Sequence, residues 1–267
     1  MGPDEYPAHY QLITSALWAK HPKLTVVASG RWGPSIAGSP CITGQRCDAW
    51  DDHYYRTPDV MATMGHQYDA YDRKLPDVFV GEFAANVGHE MTLKAAVAEA
   101  VFMLGFETNG DKVKSASFAP MLNNVNGTQW GYDLINFDSS RLYTLPSYSS
   151  QRLFREAAGE FLLVSQLGSS NVTMATASSQ GKDLIVKMAL YGGVPASVDV
   201  SLAGFAAPTG PMITQVLTST AGPDAANTLL APTAVTPTSS TTTVGGTFTI
   251  KVPAWSVIVL RVPGVVA

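Results

Sequence analysis

Two hydrophobic rhythms divide this chain. From Tyr10 to Lys20 apolar residues recur at helical spacing, which puts Tyr10, Ile13, Leu17 and Trp18 on the expected inner face. His21-Pro22 ends that run, because a residue before proline is pushed out of the helical region. Leu24 to Ser29 reads as a strand, followed by a loop through Gly30, Gly33, Pro34, Gly38 and Pro40. A second strand is expected over Asp48 to Tyr55, ending Asp51-Asp52-His53-Tyr54-Tyr55. Thr57-Pro58-Asp59 has the form of a helix start, with Thr57 as cap and Pro58 in the first turn, and that helix is expected to run toward Tyr68 or Tyr71. Val78 to Phe83 predicts a third strand, Thr92 to Phe106 a strongly apolar helix, Val113 to Met121 a fourth strand, and Ser147 to Ala157 a further helix. Strands alternating with helices imply βα units and a parallel sheet.

Near Gly159 the rhythm changes. Charges thin out, Thr, Ser, Val, Gly and Pro rise, and short strands are expected over Asp183 to Leu190, Ala196 to Leu202, Met212 to Leu217, Gly246 to Val252 and Ser256 to Val262. The Thr/Ser run from Thr236 to Thr243 reads as a surface loop or a sheet edge. Short strands separated by turn signals predict an antiparallel sandwich. The fold class is therefore α/β plus all-β, with a boundary between residues 159 and 160.

Composition narrows the function. The 267 residues are 46% hydrophobic and 14% charged, a globular balance with ample material for a core. A formal net charge of −4 gives no phosphate-binding surface, so nucleic acid is not an expected partner. No apolar run is long enough to span a bilayer, so no membrane association is expected. The N-terminal segment has neither the basic nor the apolar stretch of a signal peptide. Cys41 and Cys47 lie in a Gly/Pro/Ser-rich segment and are equally compatible with a loop disulfide and with two free thiols. Asn126-Gly127-Thr128 and Asn171-Val172-Thr173 match the glycosylation acceptor pattern, a weak pointer to secretion.

The candidate chemistry sits at strand ends. Val78-Phe79-Val80-Gly81-Glu82 is an apolar run that finishes in a carboxylate, and Gly81 lets the backbone come close to something. An acid at the carboxyl end of a buried parallel strand is where α/β barrels place catalytic groups. His53, Tyr55 and the pair Asn123-Asn124 lie at or just beyond other strand ends, and the Tyr55 hydroxyl is a candidate hydrogen-bond donor that holds Glu82 ionised. Each has a plainer reading. Glu82 could cap the next helix or form an ion pair, and His53 could be a satisfied core histidine. Tyr54 and Tyr55 could pack on opposite faces of their strand, and the two asparagines could be turn residues. Trp130 fits either a core anchor or a sugar-stacking platform. Asp51, Asp52 and His53 are too tightly clustered for a metal site without a distant partner, and no metal or organic cofactor is expected.

Taken in order, several stretches resemble the α-L-arabinofuranosidases of glycoside hydrolase family 51. They are Asp52-His53-Tyr54-Tyr55-Arg56-Thr57-Pro58, Tyr68-Asp69-Ala70-Tyr71-Asp72-Arg73, Val80-Gly81-Glu82-Phe83-Ala84, Ala96-Val97-Ala98-Glu99-Ala100-Val101-Phe102-Met103, Ser117-Phe118-Ala119-Pro120-Met121-Leu122, Trp130-Gly131-Tyr132-Asp133-Leu134-Ile135 and Pro146-Ser147-Tyr148. The resemblance runs to about residue 156; beyond it the chain resembles the family's C-terminal sandwich in texture only. It implies the C-terminal half of a (β/α)8 barrel, roughly strands five to eight, over residues 1–159, followed by an antiparallel β-sandwich over 160–267. It also implies retaining hydrolysis of terminal arabinofuranosyl groups on arabinan, arabinoxylan and related polymers, outside the cell, with a homo-oligomer left open. Glu82 matches the nucleophile. His53 and Tyr55 match the active-site pair beside it, and Asn124 and Trp130 fall near the substrate pocket.

One departure bears on activity. The family's acid/base glutamate lies in a Gly-Asn-Glu motif just before a Gly-Pro-Glu-Tyr-like turn, which Gly2-Pro3-Asp4-Glu5-Tyr6 resembles. Glu5 occupies the helix-start position and is a poor substitute. The expectation is a chain beginning just after that glutamate, without strands one to four, with exposed sheet edges, a tendency to associate and little activity of its own. A non-catalytic carbohydrate-binding or structural fragment is the alternative, and a hydrolase of the same barrel class acting on another sugar is a third reading.

Overall fold

In a computed structural model, the structure describes residues 5–29, 46–88 and 91–266. The chain divides into two compact units: Met1–Tyr55, Tyr68–Ala84 and Asn109–Ala119 form one, and Arg56–Gln67, Ala85–Thr108 and Pro120–Ala267 the other.

The first unit contains helix α1 (Tyr6–Lys20) and strands β1 (Val27–Ser29) and β2 (Ala49–Tyr55). The chain then enters the second unit for α2 (Pro58–Met61), returns for β3 (Asp77–Ala84), enters it again for α3 (Leu93–Thr108) and returns for β4 (Val113–Phe118). β1 to β4 form a four-stranded parallel sheet in sequential order, as the alternation of strand and helix patterns along the chain implies. The loop predicted through Gly30, Gly33, Pro34, Gly38 and Pro40 lies outside the described residues, as do Gly2 to Asp4 and Cys41. Cys47 is disulfide-bonded.

The inner stripe of α1 differs from the expected one. Tyr10 and Thr14 are buried, whereas Ile13 is 58% and Leu17 38% exposed. The inner stripe runs at i, i+4 and i+8 through buried Tyr10 and Thr14 to partly buried Trp18, and its members carry donors. Thr14 donates to the Tyr10 carbonyl (2.7 Å), the Tyr10 hydroxyl to the Arg46 carbonyl (3.1 Å), and the Trp18 indole to the Leu24 carbonyl (2.9 Å). Tyr10, Ala28 and Trp50 form a small core there, with Trp18 and Val26 packed against it.

In the second unit, Thr57 caps α2 by accepting from the Val60 amide (3.4 Å). The helix stops at Met61 and tightens into a 3-10 turn at Met64–His66, well short of the predicted end near Tyr68 or Tyr71. That turn lies hard against α3: a Cβ on Gly105 would fall 2.2 Å from the Gly65 carbonyl oxygen. α3 is buried almost continuously from Leu93 to Phe106. Within it Glu99 is fully buried, accepting from the Ala85 amide at 3.0 Å.

The chain continues as β5 (Leu122–Asn124), β6 (Ile135–Phe137), β7 (Leu142–Thr144), α4 (Pro146–Glu156), β8 (Phe161–Leu162), β9 (Met174–Gln180), β10 (Asp183–Leu190), β11 (Ala196–Ser201), β12 (Met212–Leu217), β13 (Thr238–Thr242), β14 (Thr247–Val252) and β15 (Ser256–Val262). β5, β6 and β7 make a small sheet. The others form an antiparallel six-stranded sheet, ordered β13-β12-β15-β10-β9-β8, and a two-stranded sheet of β11 and β14. One apolar cluster joins the two sheets, including Leu184, Met188 and Leu190 of β10, Leu260 of β15, and Ile250 and Val252 of β14. This is sandwich packing. The Thr/Ser run supplies β13, an exposed edge strand. Lys187 of β10 is buried, paired with Glu107 of α3 and stacked over the Phe154 ring (4.7 Å).

Candidate active site

Strand β2 alternates cleanly. Trp50, Asp52 and Tyr54 are buried on one face; Asp51, His53 and Tyr55 share the other, which is partly open. On the buried face the Tyr54 hydroxyl donates to Asp52 Oδ2 (2.5 Å) and the Tyr68 hydroxyl to that of Tyr54 (3.0 Å). Burial raises the Asp52 carboxyl, and the two tyrosine hydroxyls pull it back down. This network braces the strand from behind.

Strand β3 would bury its carboxylate if it were regular. Val78 and Val80 are buried on one face, and strict alternation would add residue 82 to them. Instead the register slips. Asp52 pairs with Val80 but His53 with Glu82, and on the other side Val80 pairs with Ala116 but Phe83 with Phe118. Gly81 is the extra residue, a bulge relative to both neighbouring strands. The slip moves Glu82 to the face of Asp51, His53 and Tyr55, and sends Phe83 into the core.

Gly81 is required by space. Its φ is not left-handed, but a Cβ there would sit 2.2 Å from Asp51 Oδ1. The sequence places a close approach at this glycine, and what approaches is the carboxylate of Asp51.

The resulting contacts are specific. The Tyr55 hydroxyl donates to Glu82 Oε2 at 2.5 Å, and His53 Nδ1 lies 3.3 Å from the same oxygen. His53 Nε2 lies 3.0 Å from Asp51 Oδ2, and the Gly81 amide donates to Asp51 Oδ1 at 3.1 Å. Among the described residues nothing bonds Glu82 Oε1, and the side chain is 42% exposed. A carboxylate with one oxygen held and the other open to solvent has the form of a nucleophile waiting for an electrophilic carbon.

The structure thus brings Glu82, His53 and Tyr55 together and adds Asp51, considered above only as a metal ligand. The signal for it was present: Asp51, His53 and Tyr55 are spaced by two on one strand. Asn124 and Trp130 belong to the second unit. Asn124 ends β5 and its side chain accepts from the Asn126 amide (3.0 Å); its neighbour Asn123 is buried, donating to Asn136 Oδ1 (2.8 Å). Asn123 is therefore a buried strand residue, whereas Asn124 ends the strand and opens the turn after it, its carbonyl also accepting from the Gly127 amide (3.0 Å). Trp130 is 53% exposed on a loop, which removes its reading as a core anchor. Among the described residues no group of three or more His, Cys, Asp or Glu side chains is arranged to hold a metal ion.

Comparison with known proteins gives a consistent result. A family profile described as the α-L-arabinofuranosidase C-terminal domain matches residues 75–256. α-L-Arabinofuranosidase A of Aspergillus niger is 34% identical over 265 residues, covering 97% of this chain. α-L-Arabinofuranosidase 1 of Arabidopsis thaliana is 35% identical over 210 residues, covering 76% of this chain and 30% of its own length. An extracellular exo-α-L-arabinofuranosidase of Streptomyces chartreusis is 34% identical over 170 residues, 61% of this chain and 20% of its own length. Among solved structures, an arabinose-bound α-L-arabinofuranosidase titled MgGH51 superposes with a TM-score of 0.87 at 31% identity, over 98% of this chain and 43% of that one. The Thermotoga maritima α-L-arabinofuranosidase in its arabinose complex shares the fold, with a TM-score of 0.81 at 19% identity over 98% of this chain and 62% of that one. The chain spans about 40% of the length of the Aspergillus relatives it matches.

Proposed function

We propose a function from one premise: this chain belongs to the α-L-arabinofuranosidases of glycoside hydrolase family 51. Residues 1–159 form the C-terminal half of a (β/α)8 barrel, roughly its strands five to eight, and residues 160–267 a β-sandwich. The parallel order of β1 to β4 and the twin antiparallel sheets support that division. The site removes terminal α-L-arabinofuranosyl groups from arabinan- or arabinoxylan-type polymers outside the cell, by a retaining double displacement.

Glu82 is the nucleophile. Its free Oε1 attacks the anomeric carbon, the bond from that carbon to the leaving oxygen breaks, and a covalent glycosyl-enzyme forms. Water then attacks the same carbon, releases arabinose and frees the carboxylate. A general acid protonates the leaving oxygen and later deprotonates the water; no residue of this chain is assigned that role, since both Asp51 oxygens are engaged. Tyr55 holds Glu82 and, with His53, lines the substrate. The observation that carries the reading is the asymmetry of Glu82, with Oε2 accepting from Tyr55 and facing His53, and Oε1 open among the described residues.

The test avoids dependence on the acid. A 2-deoxy-2-fluoro-α-L-arabinofuranosyl donor with a dinitrophenolate leaving group needs no proton to lose that group, and the fluorine slows hydrolysis of the intermediate. Incubation should add one glycosyl group to Glu82, located by peptide mass spectrometry, and Glu82→Gln should take up none. Labelling of another residue, or equal labelling of both proteins, overturns the assignment. A non-catalytic module would bind polysaccharide with no adduct at all.

A further inference from the structure

We propose that Asp51 is a positioning residue that sets the backbone before Glu82 and the imidazole facing it. The inference deepens the proposed function and rests on Glu82 being the nucleophile. Its geometric part stands on the sheet alone. One Asp51 oxygen accepts from the amide of Gly81, the bulge residue immediately before Glu82 (3.1 Å). The other meets His53 Nε2 (3.0 Å), whose opposite nitrogen faces Glu82 Oε2 (3.3 Å). The contacts close a ring: Gly81 amide, Asp51, His53, Glu82, and back along the chain to Gly81. Only glycine leaves room for it, since a Cβ at 81 would fall 2.2 Å from Asp51 Oδ1.

The ring makes a definite demand on protons. A carboxylate accepts and does not donate, so either ring nitrogen bonds its carboxylate only through a proton of its own. The contact at Nε2 has hydrogen-bond geometry and calls for the proton there, whereas Nδ1 faces Glu82 Oε2 only at 3.3 Å, and it is the Tyr55 hydroxyl that holds that oxygen. An imidazole with a carboxylate on one nitrogen is fixed in both tautomer and orientation, a control worth up to about 10⁴-fold where the ring takes part in chemistry. Asp51 touches neither the sugar nor the reacting carbon in this scheme; it acts through His53 and the bulge.

The test uses the full chain with ¹⁵N-labelled histidine. The chain has five histidines, and the His53 signals are those lost in His53→Gln. The parent protein should carry its proton on His53 Nε2. In Asp51→Asn, whose amide can donate where the carboxylate accepted, the proton should move to Nδ1. In Asp51→Ala the two tautomers should mix. Formation of the Glu82 adduct from the fluoro donor should slow at least about tenfold in both variants. A parent spectrum with Nε2 bare overturns the proposal without any variant. Unchanged tautomer and unchanged labelling rate in folded Asp51→Asn also overturn it. An unlabelled parent with Nε2 protonated would sink the nucleophile assignment and leave the Asp51–His53 arrangement standing.

Discussion

Glu99→Gln is expected to change how the stability of this protein depends on pH. The carboxyl is 1% exposed, and one oxygen accepts from the Ala85 amide at 3.0 Å. Burial pushes it up to about 7 from an ordinary 4.5, against the smaller downward pull of the Ala85 amide and the Ser147 hydroxyl. The folded state therefore keeps its proton at a pH where the unfolded chain has released it. Where the native state binds more protons, stability falls as pH rises. The contribution is fully present below about 4.5 and is lost as pH rises toward 7. A gap of 7 − 4.5 = 2.5 units corresponds to roughly 3 kcal/mol at the standard conversion. Glutamine keeps an acceptor for Ala85 and does not ionise. Its amide carries a burial cost of its own, but that cost is the same at every pH. The quantity to measure is therefore the change in ΔΔG between pH 4.5 and pH 8, from urea unfolding of both proteins. The variant should gain about 3 kcal/mol relative to the parent across that interval. Parallel stability curves, or a variant that loses ground as pH rises, would refute the reasoning.

Gly81→Ala should cost about 1–3 kcal/mol of stability from overpacking. It should also slow adduct formation on Glu82 by on the order of 100-fold, because the Asp51 carboxylate must shift by roughly 1 Å; urea unfolding and labelling kinetics check the two effects, and labelling at the parent rate would contradict the bulge argument. Lys187→Met should leave the partly buried Glu107 without its cation and lower stability by about 1–3 kcal/mol. The double change Lys187→Met with Glu107→Leu should recover most of that loss, as read from the urea midpoint.

The parts legible in the sequence are those where local pattern and tertiary context agree. β2, α3, β10, β12, β14 and β15 lie close to where hydrophobic runs and turn residues place them, because each buries most of its apolar side chains. The expected stripe on α1 fails for a physical reason. Ile13 and Leu17 are more apolar than Thr14, yet the inner stripe is the one whose hydroxyl and indole groups reach the carbonyls at 10, 24 and 46. Hydropathy carries no information about where those acceptors lie.

The candidate site was half legible for a related reason. Glu82 and Tyr55 stand out as polar groups at strand ends, and the spacing of 51, 53 and 55 places three side chains on one face. Nothing local shows that face to be the one Glu82 shares, because counting by twos from Val78 and Val80 puts residue 82 in the core. The bulge reverses the count by one residue. It persists because its amide and the space left by its missing side chain are both taken by a carboxylate thirty positions earlier in the chain. Gly81 and Asp51 are therefore one feature: the glycine makes room for the acid, and the acid stabilises the slip that brings Glu82 out. Asp51→Ala should accordingly tolerate alanine at 81 better than the parent does. The double variant should lose less stability than the two single losses added together, and strict additivity would show that the bulge stands without its partner.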